Sequence, residues 1–236
     1  MLRTILAMAM AAMLMGNVLT DRASDLLRDG KDAEAFELVE QGASMGDAEA
    51  VDFLAWFYDS GRHVPQDLAS AARLYRQSAA QGVPHAQWRL GVMIDEGSAP
   101  GSLEEAVSLF RQSAAQDFTN AWSSLGVMQA SGRGTPLDYV AARKSFETAA
   151  RMGNVHAFNE IGVMFINGEG VAVDPQEAAA WFAIAATHGD KAAQHYLTTG
   201  FTDFDIDPDK LAERATEIAR EYGLLDDSDR PDPSVT

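Results

Sequence analysis

Ser44 lies in Gly42-Ala-Ser44-Met-Gly46, which matches on paper the Gly-x-Ser-x-Gly turn that presents a nucleophile for acyl transfer. That chemistry needs a strand leading into the serine. The pattern around Ser44 is helical, so it is expected to close a helix and to carry no catalysis. Asp203, Asp205, Asp207 and Asp209 alternate like the start of a calcium loop. Pro208 stands where such a loop needs glycine and Arg214 where it needs a bidentate glutamate, which leaves a solvated connector and a helix N-cap. The histidines, His63, His85, His156, His188 and His195, show no His-Glu-x-x-His spacing, and His188 with His195 form only a weak pair across a turn. No Ser-x-x-Lys exists, because the residues three before the lysines are Arg28, Ala141, His188 and Asp207. With no cysteine, thiol catalysis, disulfides, lipid attachment through cysteine and Cys-based zinc sites are all excluded. No catalytic residue, cofactor or metal site is expected.

The elements behind these residues repeat with a period near 36. Ala50, Ala86, Ala121, Ala157 and Ala193 are spaced 36, 35, 36 and 36 apart. Four positions later come Leu54, Leu90, Leu125, Ile161 and Leu197, which puts small and apolar residues on one helix face. A second helix follows on the same beat, with Tyr75, Phe110, Phe146 and Phe182 leading Ala79, Ala114, Ala150 and Ala186 by four. Glycines 61, 97, 132 and 168 separate the two helices, and glycines 46, 82, 153 and 189 follow the second, with Asp117 in the one missing place. Five positions after the leading Ala stand Ala55, Gly91, Gly126 and Gly162. Glycine there costs roughly 1 kcal/mol against alanine, so its recurrence implies close helix approach. A single pair cannot bury its apolar face, and neighbours must stack.

The stretch from His85-Ala-Gln-Trp-Arg-Leu-Gly-Val-Met through Ala114-Ala-Gln resembles the Sel1-like repeat, a relative of the tetratricopeptide repeat. The resemblance covers about residues 47–190 and its loop signature is best kept in Gly168-Glu-Gly-Val171 with Asp174. Gly132-Arg-Gly-Thr135 with Asp138 is close, Gly61-Arg-His63-Val64 with Asp67 needs a left-handed histidine, and Gly97-Ser-Ala-Pro100 departs most. The implied fold is all-α, an α-solenoid of stacked antiparallel helix pairs in a right-handed superhelix. The organisation read from the chain is a signal peptide over 1–20, N-terminal capping helices over 21–46, and four repeats at about 47–82, 83–117, 118–153 and 154–189. C-terminal capping helices over 191–222 and a disordered acidic tail over 223–236 follow. Asp207-Pro208 offers the N-cap and first turn of the closing helix.

Arg3 followed by the apolar run Ile5 to Met15 reads as a secretory signal, with a retained anchor as the alternative. A periplasmic or secreted protein is therefore expected. The formal net charge of −17 argues against nucleic acid and anionic lipid and favours a partner with a basic surface. In solenoids the binding residues lie on the concave face formed by the first helix of each pair, here helix A. The three positions after each leading Ala give the candidates Phe53, Trp88, Arg89, Trp122, Phe158 and Glu160, with Phe53 and Trp122 preferred as aromatic anchors. Trp56 and Trp181 are read as structural. The expected function is a non-catalytic scaffold, adaptor or regulator that binds a protein in the bacterial envelope. The alternatives are an enzyme acting on cell wall or β-lactams and a structural part of an envelope assembly.

Overall fold

The computed structural model describes residues 19–225. Most of the stretch expected to be a signal peptide, residues 1–18, and the expected tail from 226 lie outside the described residues. Twelve helices are seen among those described, and they fall into two compact units, up to Phe118 and from Thr119. The first unit holds α1 (described over 19–28), α2 (Asp32–Ser44), α3 (Ala48–Ser60), α4 (Leu68–Ala80), α5 (Pro84–Asp95) and α6 (Leu103–Ala114). The second holds α7 (Thr119–Ser131), α8 (Tyr139–Arg151), α9 (Val155–Asn167), α10 (Pro175–Thr187), α11 (Lys191–Thr199) and α12 (Pro208–Glu221).

Short connections make consecutive helices antiparallel neighbours: within their units α2 to α6 and α7 to α11 each pack on the next, while α12 packs back on α10. The starts of the helices follow from their first residues. Asp47, Asp67, Asp138, Asp174, Asp190 and Asp207 each accept backbone N–H bonds at the entrance of the helix that follows. In three of the loops between paired helices the capping aspartate also donates its own N–H back to the preceding helix: Asp67 to Tyr58, Asp138 to Gln129 and Asp174 to Phe165. The loop after α5, which lacks such an aspartate, has Ser98 and Ala99 both donating to the Met93 carbonyl. His63 and Asp117 stand in the left-handed region at φ 66° and 59°, where the pattern calls for glycine.

The helix-A glycines are explained by the rings beneath them. A Cβ built on Gly91, Gly126 or Gly162 would meet Phe110, Phe146 or Phe182 at 2.6, 2.6 and 2.8 Å, far inside van der Waals contact. These phenylalanines, from the second helix of each pair (helix B), are almost wholly buried. Serines add polar links within pairs: Ser78 donates to the Ala48 carbonyl and Ser113 to that of Pro84, both at 2.7 Å. In the second unit α12 is fastened to α10, since Arg214 donates to both oxygens of Glu177 at 2.7 and 2.9 Å and Glu177 also accepts from the Trp181 indole.

Two of the motif readings can be placed. Ser44 is the last residue of α2, and its hydroxyl donates to the Gln41 carbonyl at 2.7 Å, with no strand before it. Asp207 caps α12 as the sequence implies.

Candidate functional site

In the first unit α3 and α5 are successive helices A, and both present side chains at the same i, i+3, i+4 spacing: Trp56, Asp59 and Ser60 from α3, His85, Trp88 and Arg89 from α5. With Tyr75 from α4 and Gln66 from the loop, they line an open cleft of about 420 Å³. Its centre is an ion pair. Arg89 Nε donates to Asp59 Oδ2 at 2.6 Å and Nη2 to Oδ1 at 3.1 Å, a two-pronged geometry that fixes the guanidinium plane. The buried Tyr75 hydroxyl donates to the same carboxylate at 3.2 Å. Tyr75 occupies the place held by phenylalanine in the other repeats, and the change supplies a donor for Asp59. Burial, and then the negative charges of Asp59 and Asp52, push the Tyr75 phenol far above its ordinary range, so it stays a donor. The hydrogen bond to Asp59 likewise holds the Arg89 guanidinium charged.

The walls of the cleft are aromatic. Trp88 packs against His85 at 5.8 Å and Phe118 at 5.5 Å between ring centres. Trp56 is half-buried, with the Arg62 guanidinium 5.8 Å from its ring centre, and Arg62 is itself held by both oxygens of Asp32. Ser60 donates its hydroxyl to the Trp56 carbonyl at 2.7 Å.

A second cleft of about 310 Å³ adjoins the first through His85, which lines both. Its other walls are Thr20, Asp21 and Ser24 of α1, Glu49, Asp52 and Phe53 of α3, and Val83 with Pro84. His85 Nδ1 lies 2.9 Å from each carboxylate oxygen of Asp52. Burial, then the charges of Asp47, Asp52 and Asp21, raise the Glu49 carboxyl above the usual carboxylate range. Among the described residues no group of three or more acidic, histidine or cysteine side chains is placed to hold a metal.

Phe53, Trp88 and Arg89 are thus brought to one groove. Phe53 stacks on Phe57 at 5.8 Å and keeps an exposed edge in the second cleft. Arg89 enters it already committed to Asp59. The other three candidates belong to the second unit. Phe158 is a correction: it is 1% exposed, packed between Trp181 and Tyr222 at 5.9 and 5.4 Å, and therefore core. Trp122 is half-buried, and its indole N–H is buried without an acceptor among the described residues. Glu160 faces His156 at 3.3 Å, and His156 also reaches Asp190 at 3.3 Å, which makes a local clamp at the start of α9.

The sequence reading passed over Trp56, Asp59, Tyr75 and His85. Trp56 was assigned to the core because it lies next to signature apolar positions, and Trp181 at 4% exposure does behave so. The signal that could have found Asp59 was the departure at Tyr75, a hydroxyl where the register asks for phenylalanine.

The Sel1 repeat is matched over residues 7–47, 48–83, 84–118, 123–154 and 157–190. The chain belongs to the Sel1 repeat family. Five Sel1 repeats are matched, the first taking in the stretch read from sequence as capping helices and part of the signal. Among solved structures, the chain is similar to a Sel1 repeat protein from Oxalobacter formigenes at 26% identity and TM-score 0.71, covering 86% of this chain and 82% of that one. It is also similar to a protective antigen of uropathogenic Escherichia coli strains that displays an SLR fold, at 28% identity and TM-score 0.71, covering 96% of this chain and 53% of that one. An immunity protein from Pseudomonas aeruginosa, at 17% identity and TM-score 0.52 over 94% of this chain and 86% of that one, shares the fold. No curated protein matches the chain.

Proposed function

We propose that this Sel1 repeat protein is a non-catalytic scaffold that holds a segment of a partner protein against the helix-A face of its first unit. The observation that carries the reading is the open groove between α3 and α5, walled by Trp56 and Trp88 and floored by the Asp59–Arg89–Tyr75 cluster. Its polar centre is satisfied within the protein, so an occupant gains from ring contact and from the rim, which is how protein-binding surfaces concentrate affinity. A reaction site would need unspent polar groups converging on one point.

We propose in addition that the protein is exported to the bacterial periplasm or out of the cell; the secretory-signal make-up of residues 1–20 supports this, and a similar protein is described as a protective antigen. N-terminal sequencing of the protein recovered from cell fractions tests this: a mature chain starting near residue 21 in the periplasm or medium is expected, and an intact chain confined to the cytoplasm would overturn it.

For the binding role, the exported protein and its Trp88→Ala and Trp122→Ala variants are used to purify partners from envelope extracts. The groove reading expects Trp88→Ala to lose a partner that Trp122→Ala keeps. Equal recovery by all three proteins sinks it, and hydrolysis of a cell-wall or β-lactam substrate by the pure protein would overturn the non-catalytic claim.

A further inference from the structure

The first cleft is lined wholly by residues between Trp56 and Arg89, and its polar atoms are used unevenly. The Asp59 carboxylate accepts three bonds, from Arg89 Nε and Nη2 and from the Tyr75 hydroxyl, and Gln66 gives its amide N–H to the Asp59 carbonyl at 2.7 Å. The Ser60 hydroxyl donates to the Trp56 carbonyl and accepts from the Arg62 N–H. Arg89 is different. A guanidinium carries five N–H donors, and Asp59 engages only Nε and Nη2; Nη1 donates to none of the described residues. The more exposed end of this ion pair is also its donor, since the Arg89 side chain is 26% exposed and that of Asp59 9%. The contact between His85 and Asp52 on the neighbouring edge is turned the same way, at 34% and 15%. Between its rings the cleft therefore offers donors and keeps its carboxylates behind them.

Resting on the protein-binding reading of the same face, we infer that the occupant is a proline-rich segment in the extended polyproline II conformation, with proline rings against Trp56 and Trp88 and a backbone carbonyl accepting from Arg89. A polyproline II backbone makes no internal hydrogen bonds, so its carbonyls are open to an outside donor. Proline has no N–H and brings no donor of its own to a groove whose central acceptor, Asp59, is already taken. Its preformed backbone loses little freedom when its rings settle on aromatic walls. The other docking modes fit less well: an amphipathic helix keeps its carbonyls to itself and asks for an apolar floor, and strand addition asks for a sheet edge, of which there is none among the described residues. A partner carboxylate suits Arg89 less than a neutral carbonyl does, because Asp59 already neutralises the guanidinium and repels a second anion. The overall charge of −17 speeds the approach of such a segment when basic residues flank it.

The test pans a phage-displayed random peptide library against the full chain. Representative synthetic peptides are then measured by calorimetry against the wild type, Trp88→Ala, Arg89→Lys and, as a control in the second unit, Trp122→Ala. Enrichment of proline is expected, with prolines three apart, which share one face of the polyproline II helix. Trp88→Ala should weaken these peptides roughly tenfold or more, as loss of an aromatic anchor does, and Trp122→Ala should bind like the wild type. Arg89→Lys keeps a cation beside Asp59 but removes the planar fork, and should cost roughly tenfold, the scale of one hydrogen bond to a charged group. Changes in the peptide need no variant to fold: alanine in place of a selected proline restores an N–H and should weaken binding to the wild type, and N-methylalanine, which lacks that N–H, should weaken it less.

Selected peptides that need Trp88 but show no proline preference would overturn the proline-rich segment and leave the groove standing. Proline-rich peptides that bind Arg89→Lys as tightly as the wild type would overturn the carbonyl contact. Failure to select any peptide, or selection of peptides indifferent to Trp88, would overturn both the segment and the groove. Binding of N-acetylglucosamine oligosaccharides that needs Trp88, with no peptide selected, would also overturn both and assign the rings to a glycan.

Discussion

At the residue scale the strongest constraint is the close approach of helix-A glycines to helix-B rings. Gly91→Ala should gain up to about 1 kcal/mol in helix propensity. It also places a methyl group 2.6 Å from Phe110 Cε1, and a ring so buried cannot step aside freely. Overpacking of this kind typically costs about 1–3 kcal/mol, so a net loss is expected in urea unfolding, with part of it recovered in Gly91→Ala/Phe110→Leu. An unchanged midpoint would show that the ring has room. Glu160 gives a pH-dependent case. Burial, opposed by His156, raises its carboxyl above 4.5, so the folded state holds the proton more tightly than the unfolded chain. Its contribution is most favourable below that value and declines as pH rises through the raised pKa. Glu160→Gln should therefore gain stability relative to the wild type over that window, since the exchange forfeits only an exposed histidine contact, worth little. A difference between the two proteins that is constant with pH would refute this. The periodic small and apolar positions were readable in the sequence because packing repeats with the fold. Phe158 was misread because the position directly after the leading Ala faces the core in α9, and nothing in a three-residue window reveals which side of the helix is covered by α10 and the closing segment.

At the element scale, helix starts were legible because capping is local chemistry. Asp207-Pro208 was enough to place α12, whereas Asp67, Asp138 and Asp174 were read only as part of a loop signature and prove to be the N-caps of α4, α8 and α10. Asp138→Ala removes an acceptor of the Ala141 N–H at 2.9 Å and should destabilise the second unit by about 1 kcal/mol, with Asp138→Asn close to the wild type. Equal loss in both would point to charge instead of hydrogen bonding. Asp67 and Asp207 carry the acid-side version of this effect. Backbone hydrogen bonds, to Ser70 for the first and Lys210 for the second, hold their carboxyls below 3.8, so their stabilisation is complete above that value and is lost as pH falls through the folded pKa. This window lies below the one in which Glu160 acts, so Asp67→Asn and Glu160→Gln should change opposite ends of the stability profile. The loop after α5 was less legible. Met93 accepts from Ser98 as Met128 does from Arg133 and Met164 from Glu169, but with no aspartate to donate back to the preceding helix a second bond comes from Ala99, which only the structure shows.

At the scale of the whole molecule, charge acts on folding and on binding with opposite signs. A net charge of −17 on a fold of stacked helix pairs makes the compact state repel itself more than the expanded chain does. Sodium chloride shortens the Debye length to about 10 Å at roughly 0.1 M and about 3 Å at 1 M, which screens that repulsion. The urea midpoint of the full chain should therefore rise as salt is added. Association with a basic segment should weaken over the same series, because the attraction that steers it is screened too. The two curves separate the sources of the acidity. Charge kept for solubility alone would move stability with salt and leave binding flat, whereas charge used in recognition moves both.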